Sequence, residues 1–424
     1  MASTSTVSSS QNPELTASLL DNHNKYTFTF KHIHTSTANA LRRTILSDIP
    51  VYAFRTETED VNLCKIEENT TRFHNEIVKQ RLSCIPIHYP VDREVFVHDL
   101  KSPSSLDPNV PSPQGGLIRY ELDLDVQNTT EHQLRWVTTE EFRLRDKETS
   151  NYLAPEEQRK IFPPNPITNR YIDFLRLRPS IGPTIPGEKI KLHAGIGISH
   201  AREDGMFNVV SVCGYQNKID IKKRDEAWLT YQRQQSSNEP DSDKTEQEKQ
   251  FEKENFNQLQ GQRYFVSNKQ GEPIEFDFTV QSIGIYEPSA IVQMACDILM
   301  HKFKKIMEQI EDDTLIIIPS DRIRESGQYL SVTESTIPNA YDIVLENEDY
   351  TVGCVMERML YDMFYDGEKT LSYVGFKKYH PHDSYSIIRI AHKEDTPTLN
   401  RQGQIKRAAF SAYDVFKKIR AKIV

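Results

Sequence analysis

Strict alternation opens the patterned part of the chain. Tyr26, Phe28 and Phe30 alternate with Thr27, Thr29 and Lys31, which predicts a strand with one buried face. Over residues 37–50 the period changes. Leu41, Ile45 and Ile49 recur along one stripe, Thr35, Ser36 and Thr37 offer N-cap hydroxyls, and Pro50 stops the run, so a short helix is expected. Its adjacent arginines, Arg42 and Arg43, point away from the apolar stripe and suggest a surface that a partner grips. Further strands are expected at 51–54 and around 61–66, then a helix at 75–82 that Pro86 ends.

The character changes at Pro90. To about Arg119 the sequence is loop-like, with Pro103, Pro108, Pro111, Pro113 and the pair Gly115-Gly116. Alternation returns at 118–126 with acids on one face, and strands are expected at 190–198 and 209–215. Residues 234–260 carry serines, acids, lysines and glutamines with little to bury, as a disordered loop or a solvated helix would. A strand at 275–280 precedes a long helix after Pro288, with Ile291, Ala295, Ile298, Phe303, Ile306 and Ile310 along one side. In the connector 312–340, the run Leu315-Ile316-Ile317-Ile318 is a candidate strand.

The plan then repeats. A strand at 341–345 leads into a helix at 350–364 with Val352, Val355, Met359 and Met363 on one stripe. Strands at 373–377 and 386–391 follow, and a last helix carries Ile405, Ala409, Ala412, Phe416, Ile419 and Ile423. The fold class expected is α+β: two alike units packed as an intramolecular pseudo-dimer, the first interrupted by a mostly β insertion. The expected domains are a disordered lead-in (1–23), a first unit (24–89 and 271–311), an inserted domain (90–270), the connector, and a second unit (341–424). Leu41, Ile45, Ile298, Ile306, Val352, Val355, Met359, Phe416 and Ile419 are expected to line the contact between the units. Covalent linkage makes that association intramolecular, at an effective concentration on the order of millimolar.

Composition narrows the possibilities. The chain has 424 residues, 37% hydrophobic and 27% charged, with a mean hydropathy of −0.61. No apolar run is long enough to cross a bilayer, and the Ser/Thr-rich start lacks the basic and apolar blocks of a secretory signal. A net charge of −9 argues against coating nucleic acid as the main task, while leaving room for a local basic patch. Cys64, Cys84, Cys213, Cys296 and Cys354 are too scattered for a zinc site or a disulfide framework.

Catalytic chemistry finds little support. Asp123 and Asp125 form a D-x-D on an alternating strand, where a solvated face accounts for them better than magnesium does. His32 with His34, and His380 with His382, have a spacing that can ligate metal but lack further ligands nearby. No phosphate loop, nucleophile elbow or zincin motif is present. A metal-dependent nucleotide-handling enzyme that uses the acidic pairs is the alternative reading, and a free-standing transcription regulator a third.

Several motifs together resemble a known family. Asn39-Ala40-Leu41-Arg42-Arg43 with Ile49-Pro50 is similar to the helix of the alpha subunits of multisubunit RNA polymerases, and of the third-largest subunit of RNA polymerase II. Glu68-Asn69-Thr70-Thr71 and Arg81-Leu82-Ser83-Cys84-Ile85-Pro86 resemble the next motifs in order. Phe278-Thr279-Val280 and the helix after Pro288 resemble the elements that close the dimerisation domain, and His200-Ala201 is a weaker likeness in the insertion. The C-terminal unit resembles the small eleventh subunit, through Asp349-Tyr350-Thr351-Val352-Gly353, Val374-Gly375-Phe376 and His380-Pro381. Such a fusion resembles the polymerase subunit of nucleocytoplasmic large DNA viruses.

The resemblance implies a non-catalytic assembly platform that docks the largest, second-largest and small polymerase subunits. Asn39, Arg42, Arg43 and Arg81 would be interface residues, since a guanidinium grips carboxylates or carbonyls at two points. It implies no membrane partner, no sequence-specific nucleic-acid contact and no cofactor, with the magnesium of the complex on another subunit. The family's zinc loop is not carried over, because residues 89–100 contain no cysteine, and Tyr350 and Cys354 replace the small subunit's His and Asn. The location implied is intracellular, in host cytoplasm or nucleus, or packaged in a virion.

Overall fold

A computed structural model describes residues 11–21, 24–56, 59, 62–91, 116–182, 184–236, 245–319 and 336–423. Two compact units form: Met1–Thr44 with Val212–Gln281 and Val292–Val424, and Ile45–Ser211 with Ser282–Ile291. Strands and helices are numbered below in chain order.

In the first unit, β1 (Glu14–Leu20), β2 (Lys25–Lys31), β11 (Val210–Asn217) and β12 (Glu275–Ser282) form a sheet in the order β1-β2-β12-β11. The register sets Phe28 opposite Phe278, and their rings stack at 4.9 Å. A second sheet has the order β13-β14-β16-β15, built from β13 (Ile317–Pro319), β14 (Ala340–Glu346), β15 (Leu371–Lys377) and β16 (Tyr385–His392), with antiparallel pairings.

Three helices of this unit carry the apolar stripes: α6 (Pro288–Glu311), α7 (Tyr350–Leu360) and α8 (Thr398–Lys422). Side chains of α6 and α8 meet in descending order along one helix as they ascend the other, so the two run antiparallel. Gln293 donates to the Ile423 carbonyl at 2.8 Å, Asp297 pairs with Arg420, Phe303 stacks on Phe416 at 5.8 Å, and Glu311 pairs with Lys406 at 2.6 Å. Ile298, Ile306, Phe416 and Ile419 are buried, as are Val352, Val355 and Met359 of α7. Each such side chain contributes roughly 1.5–3 kcal/mol by leaving water.

The second unit is mostly β. β4 (Cys64–Asn69), β9 (Lys189–Gly195), β5 (Tyr120–Gln127) and β7 (Arg143–Asp146) form one sheet in that order. β3 (Pro50–Ala53) pairs with β10 (Gly197–His200), and β6 (Arg135–Thr138) with β8 (Asp173–Leu177). Helices α2 (Asn75–Ser83) and α3 (Pro155–Ile161) belong to it. Its core centres on the buried rings of Phe54, Phe142, Phe162 and Phe174, with edge-on contacts at 5.3 to 6.3 Å among them.

The structure corrects several expectations. Residues 14–20 form β1 rather than a disordered lead-in. That strand is held by its backbone ladder to β2 while Leu19 and Leu20 stay exposed, so no burial pattern announces it. β3 and β4, assigned to the first unit by sequence, pair with β10 and β9 of the insertion and so join the second compact unit. Conversely, α4 (Ile221–Ser236) and α5 (Glu246–Gln260) belong to the first unit and pack Trp228, Tyr231, Phe256 and Tyr264 together. A capping box of Thr245 and Glu248 starts α5, a signal visible in the sequence. The helix expected at 350–364 gives way after Leu360 to a π-turn over Tyr361–Gly367. The proline-rich stretch 92–115, Val61, Asp241 and Asp243 lie outside the described residues.

Gly353 carries the clearest steric constraint. A Cβ there would lie 1.9 Å from the Phe376 ring, which itself packs on Tyr350 at 5.2 Å. In an open helix, Gly→Ala gains about 1 kcal/mol. Here Gly353→Ala is expected to lose roughly 1–3 kcal/mol through overpacking. Urea denaturation of the single variants and of Gly353→Ala with Phe376→Ala checks the cause: the loss should vanish when the ring is gone.

Candidate functional site: the arginine helix

Helix α1 (Thr35–Ser47) is capped by groups outside it. His34 stands at the N-cap, where its Nδ1 accepts the Ser36 N–H at 3.1 Å and meets the Ser36 hydroxyl at 3.0 Å. Gln11 Oε1 accepts the His34 N–H at 3.1 Å and the Thr37 hydroxyl at 2.9 Å. An imidazole accepting at Nδ1 is neutral. Burial lowers the His34 pKa and the nearby Arg358 guanidinium lowers it further, while Glu272 and Asp362 pull the other way. Leu41 and Ile45 are fully buried, which leaves Asn39 and the two arginines on the half-buried side.

The arginines part company. Arg42 folds back on its own helix: Nε and Nη2 donate to Asn39 Oδ1 at 3.2 and 2.9 Å. Arg43 reaches the C-terminal half, donating from Nε to Thr351 Oγ1 at 2.9 Å and from Nη2 to Asp349 Oδ2 at 2.8 Å. Asp349 is the N-cap of α7 and accepts the Thr351 N–H at 2.8 Å.

The same displacement along the chain carries Arg43 onto Arg358, His34 onto Asp349 and Ser36 onto Thr351. Arg358 makes the return contact, with Nη1 and Nη2 on the Glu272 carboxylate at 2.9 and 3.1 Å and Nε 2.8 Å from Asp362. Each half thus sends one arginine to the other. The clasps differ because a histidine, which offers no negative charge, stands where the second helix has Asp349, and Glu272 supplies the carboxylate. The hydrogen bond from Arg358 holds Glu272 below the usual carboxylate range.

In the second unit, Asp48 takes the Arg202 fork at 3.0 and 3.1 Å, and Arg55 pairs with Glu203 at 3.2 Å. This places Arg202, beside the His200-Ala201 pair, in a structural role. Arg81 donates to the carbonyls of Phe174 and Asp173 at 2.7 and 3.1 Å, tying α2 to β8. Arg43 and Arg81, expected as interface donors, thus have their forks engaged within the chain. Asp123 accepts the Tyr152 hydroxyl at 2.6 Å, and Asp125 lies 3.6 Å from Lys189 Nζ. Among the described residues, no group of three or more His, Cys, Asp or Glu is arranged to hold a metal ion.

The sequence profile of the RNA polymerase Rpb3/Rpb11 dimerisation domain matches residues 27–303, a span that runs from β2 through α1 to Phe303 of α6. The chain belongs to this family. Over 66 residues it is 42% identical to DNA-directed RNA polymerase subunit Rpo3 of Pyrococcus furiosus, covering 16% of this chain and 23% of that relative. Rpo3 of Pyrococcus horikoshii is 37% identical over 67 residues, with the same shares, 16% and 23%. Each match spans about a quarter of the relative's length. Within this Rpb3/Rpb11-type chain, the second round of the plan, from Ala340 onward, lies beyond the profile match.

Sequence reasoning missed Gln11 and Glu272, and named His34 only for its spacing from His32. Asp349 ahead of an apolar run is an N-cap signal that could have marked the start of α7. The His34 cap makes an acid-sensitive element. Its folded pKa lies below the ordinary imidazole value of 6.5, so its stabilisation is full above that value and is lost as pH falls through the depressed one. His34→Asn keeps an acceptor and removes the titration. Urea midpoints at pH 7.5 and pH 5.5 should fall less for this variant than for the natural chain; equal falls would exclude His34 as the source.

Proposed function

We propose that the chain is a non-catalytic assembly platform of a DNA-directed RNA polymerase, joining third-subunit-like and eleventh-subunit-like halves in one polypeptide. The observation that carries this reading is the reciprocal clasp, Arg43 on Asp349 and Arg358 on Glu272, together with the antiparallel packing of α6 on α8. Two separate subunits would need that kind of contact, and here it joins two rounds of one plan. The fused arrangement is what supports a viral polymerase of the large DNA virus type. The chain would contribute geometry and no cofactor, while the magnesium and the nucleotide chemistry belong to the large subunits.

The docking surface in this reading centres on Asn39 and Arg42. Asn39 holds the guanidinium in one orientation through two hydrogen bonds to a single oxygen, so little side-chain entropy remains to be lost on binding. Arg43 acts inward and sets the junction. The division gives a sharper test than removing both arginines together. Co-expression with the second-largest subunit, followed by affinity capture, should show Asn39→Ala with Arg42→Ala folding normally and losing capture at least tenfold, the size of an interface hot spot of about 2 kcal/mol. Arg43→Ala should instead lose roughly 1–3 kcal/mol of stability, as expected for charged hydrogen bonds, and capture normally once folded. Undiminished capture by the double variant would remove the docking assignment.

A further inference from the structure

A cleft of about 790 Å³ opens in the second unit, away from the arginine helix in sequence and lined by Trp136, Tyr171, Arg159 and Arg170 among others. Trp136 lies opposite Arg176 across the β6–β8 ladder, with the guanidinium 5.7 Å from the indole centroid. Arg159 donates to the Tyr171 hydroxyl at 2.9 Å, and Arg143, in an adjoining hollow, donates to the carbonyls of Glu140 and Phe142 at 2.8 and 3.0 Å. Carboxylates meet arginine forks elsewhere in the chain, as at Arg55, Arg145, Arg202 and Arg389. By contrast, Arg143, Arg159, Arg170 and Arg176 have no carboxylate partner among the described residues. None of the four is ion-paired among these residues, although Glu140 and Asp173 also line the cleft and Glu156 the adjoining hollow.

We infer that this cleft binds single-stranded nucleic acid without sequence specificity. Arg159 and Arg170 in the cleft, with Arg176 against Trp136 and Arg143 in the adjoining hollow, suit phosphates, and the exposed indole offers a face on which a base stacks. The cleft also contains Glu140 and Asp173. These carboxylates accept hydrogen bonds from the amino groups of cytosine or adenine, donors that acidic side chains do not offer. Base faces and amino edges must be uncovered for such contacts, which favours a single strand over a duplex.

The test uses the full chain and a fluorescently labelled oligocytidylate RNA. The chain has two tryptophans, and Trp228 is 5% exposed against 49% for Trp136, so a change in emission on binding reports chiefly on the cleft. Saturable binding should quench that emission. With about four phosphates neutralised, affinity should fall about 50-fold between roughly 50 and 200 mM salt. Trp136→Ala should abolish the quench and weaken binding about tenfold, as loss of a stacked base does. The exposed Arg170→Ala with Arg176→Ala should flatten the salt dependence while leaving the thermal midpoint unchanged, which separates binding from folding. Absence of saturable binding at low salt, binding indifferent to both variants, or tighter binding of a duplex would overturn the inference. Preference for polyglutamate over RNA would assign the cleft to an acidic protein and overturn it equally.

Discussion

The apolar stripes of α6 and α8 have to be covered, and each helix covers the other. Phe303 on Phe416 lies near the middle of the antiparallel contact, with Asp297–Arg420 towards one end and Glu311–Lys406 at the other. Such packing is intolerant of slippage, because shifting one helix by a turn would separate the stacked rings and break both ion pairs together. Arg43 of α1 meets Asp349, the N-cap of α7, at 2.8 Å, and Leu41 and Ile45 of α1 are buried as are Val352 and Val355 of α7.

Charge is distributed with the same economy. Where arginines are half-buried, as at Arg43, Arg358 and Arg389, each faces a carboxylate that offsets its loss of hydration. Where they are solvated around Trp136, no such partner is needed, and the charge stays available. The contrast separates arginines that hold the protein together from those that face outward. Arg42 stands between the two classes: it is fixed by a neutral amide, and so oriented without being neutralised.

Much of the plan was legible along the chain. The alternation at Tyr26, Phe28 and Phe30 marked β2, the stripe at Leu41 and Ile45 marked α1, and the long stripes ending at Ile310 and Ile423 marked α6 and α8. These signals are local, because burial of one face writes a period of two or 3.6 into neighbouring residues. What stayed hidden was non-local. β1 is held by a backbone ladder that places no demand on side-chain identity, and β3 and β4 gave no sign that their partners lie at β9 and β10.

By itself, therefore, the sequence determined most of the segments that form elements, with β1 the exception, the repeat of strand and helix along the chain, and that Asn39, Arg42 and Arg43 sit on the polar side of a short helix. Only the tertiary structure decided what those side chains do. It turned Arg43 inward onto Asp349, left Arg42 oriented by Asn39, bound Arg81 to the carbonyls of β8, and brought Glu272 to Arg358. The physical reason is that helical periodicity specifies a face, whereas the partner of a long cationic side chain depends on which distant carboxylate the folded backbone carries to within about 3 Å, the reach of a hydrogen bond.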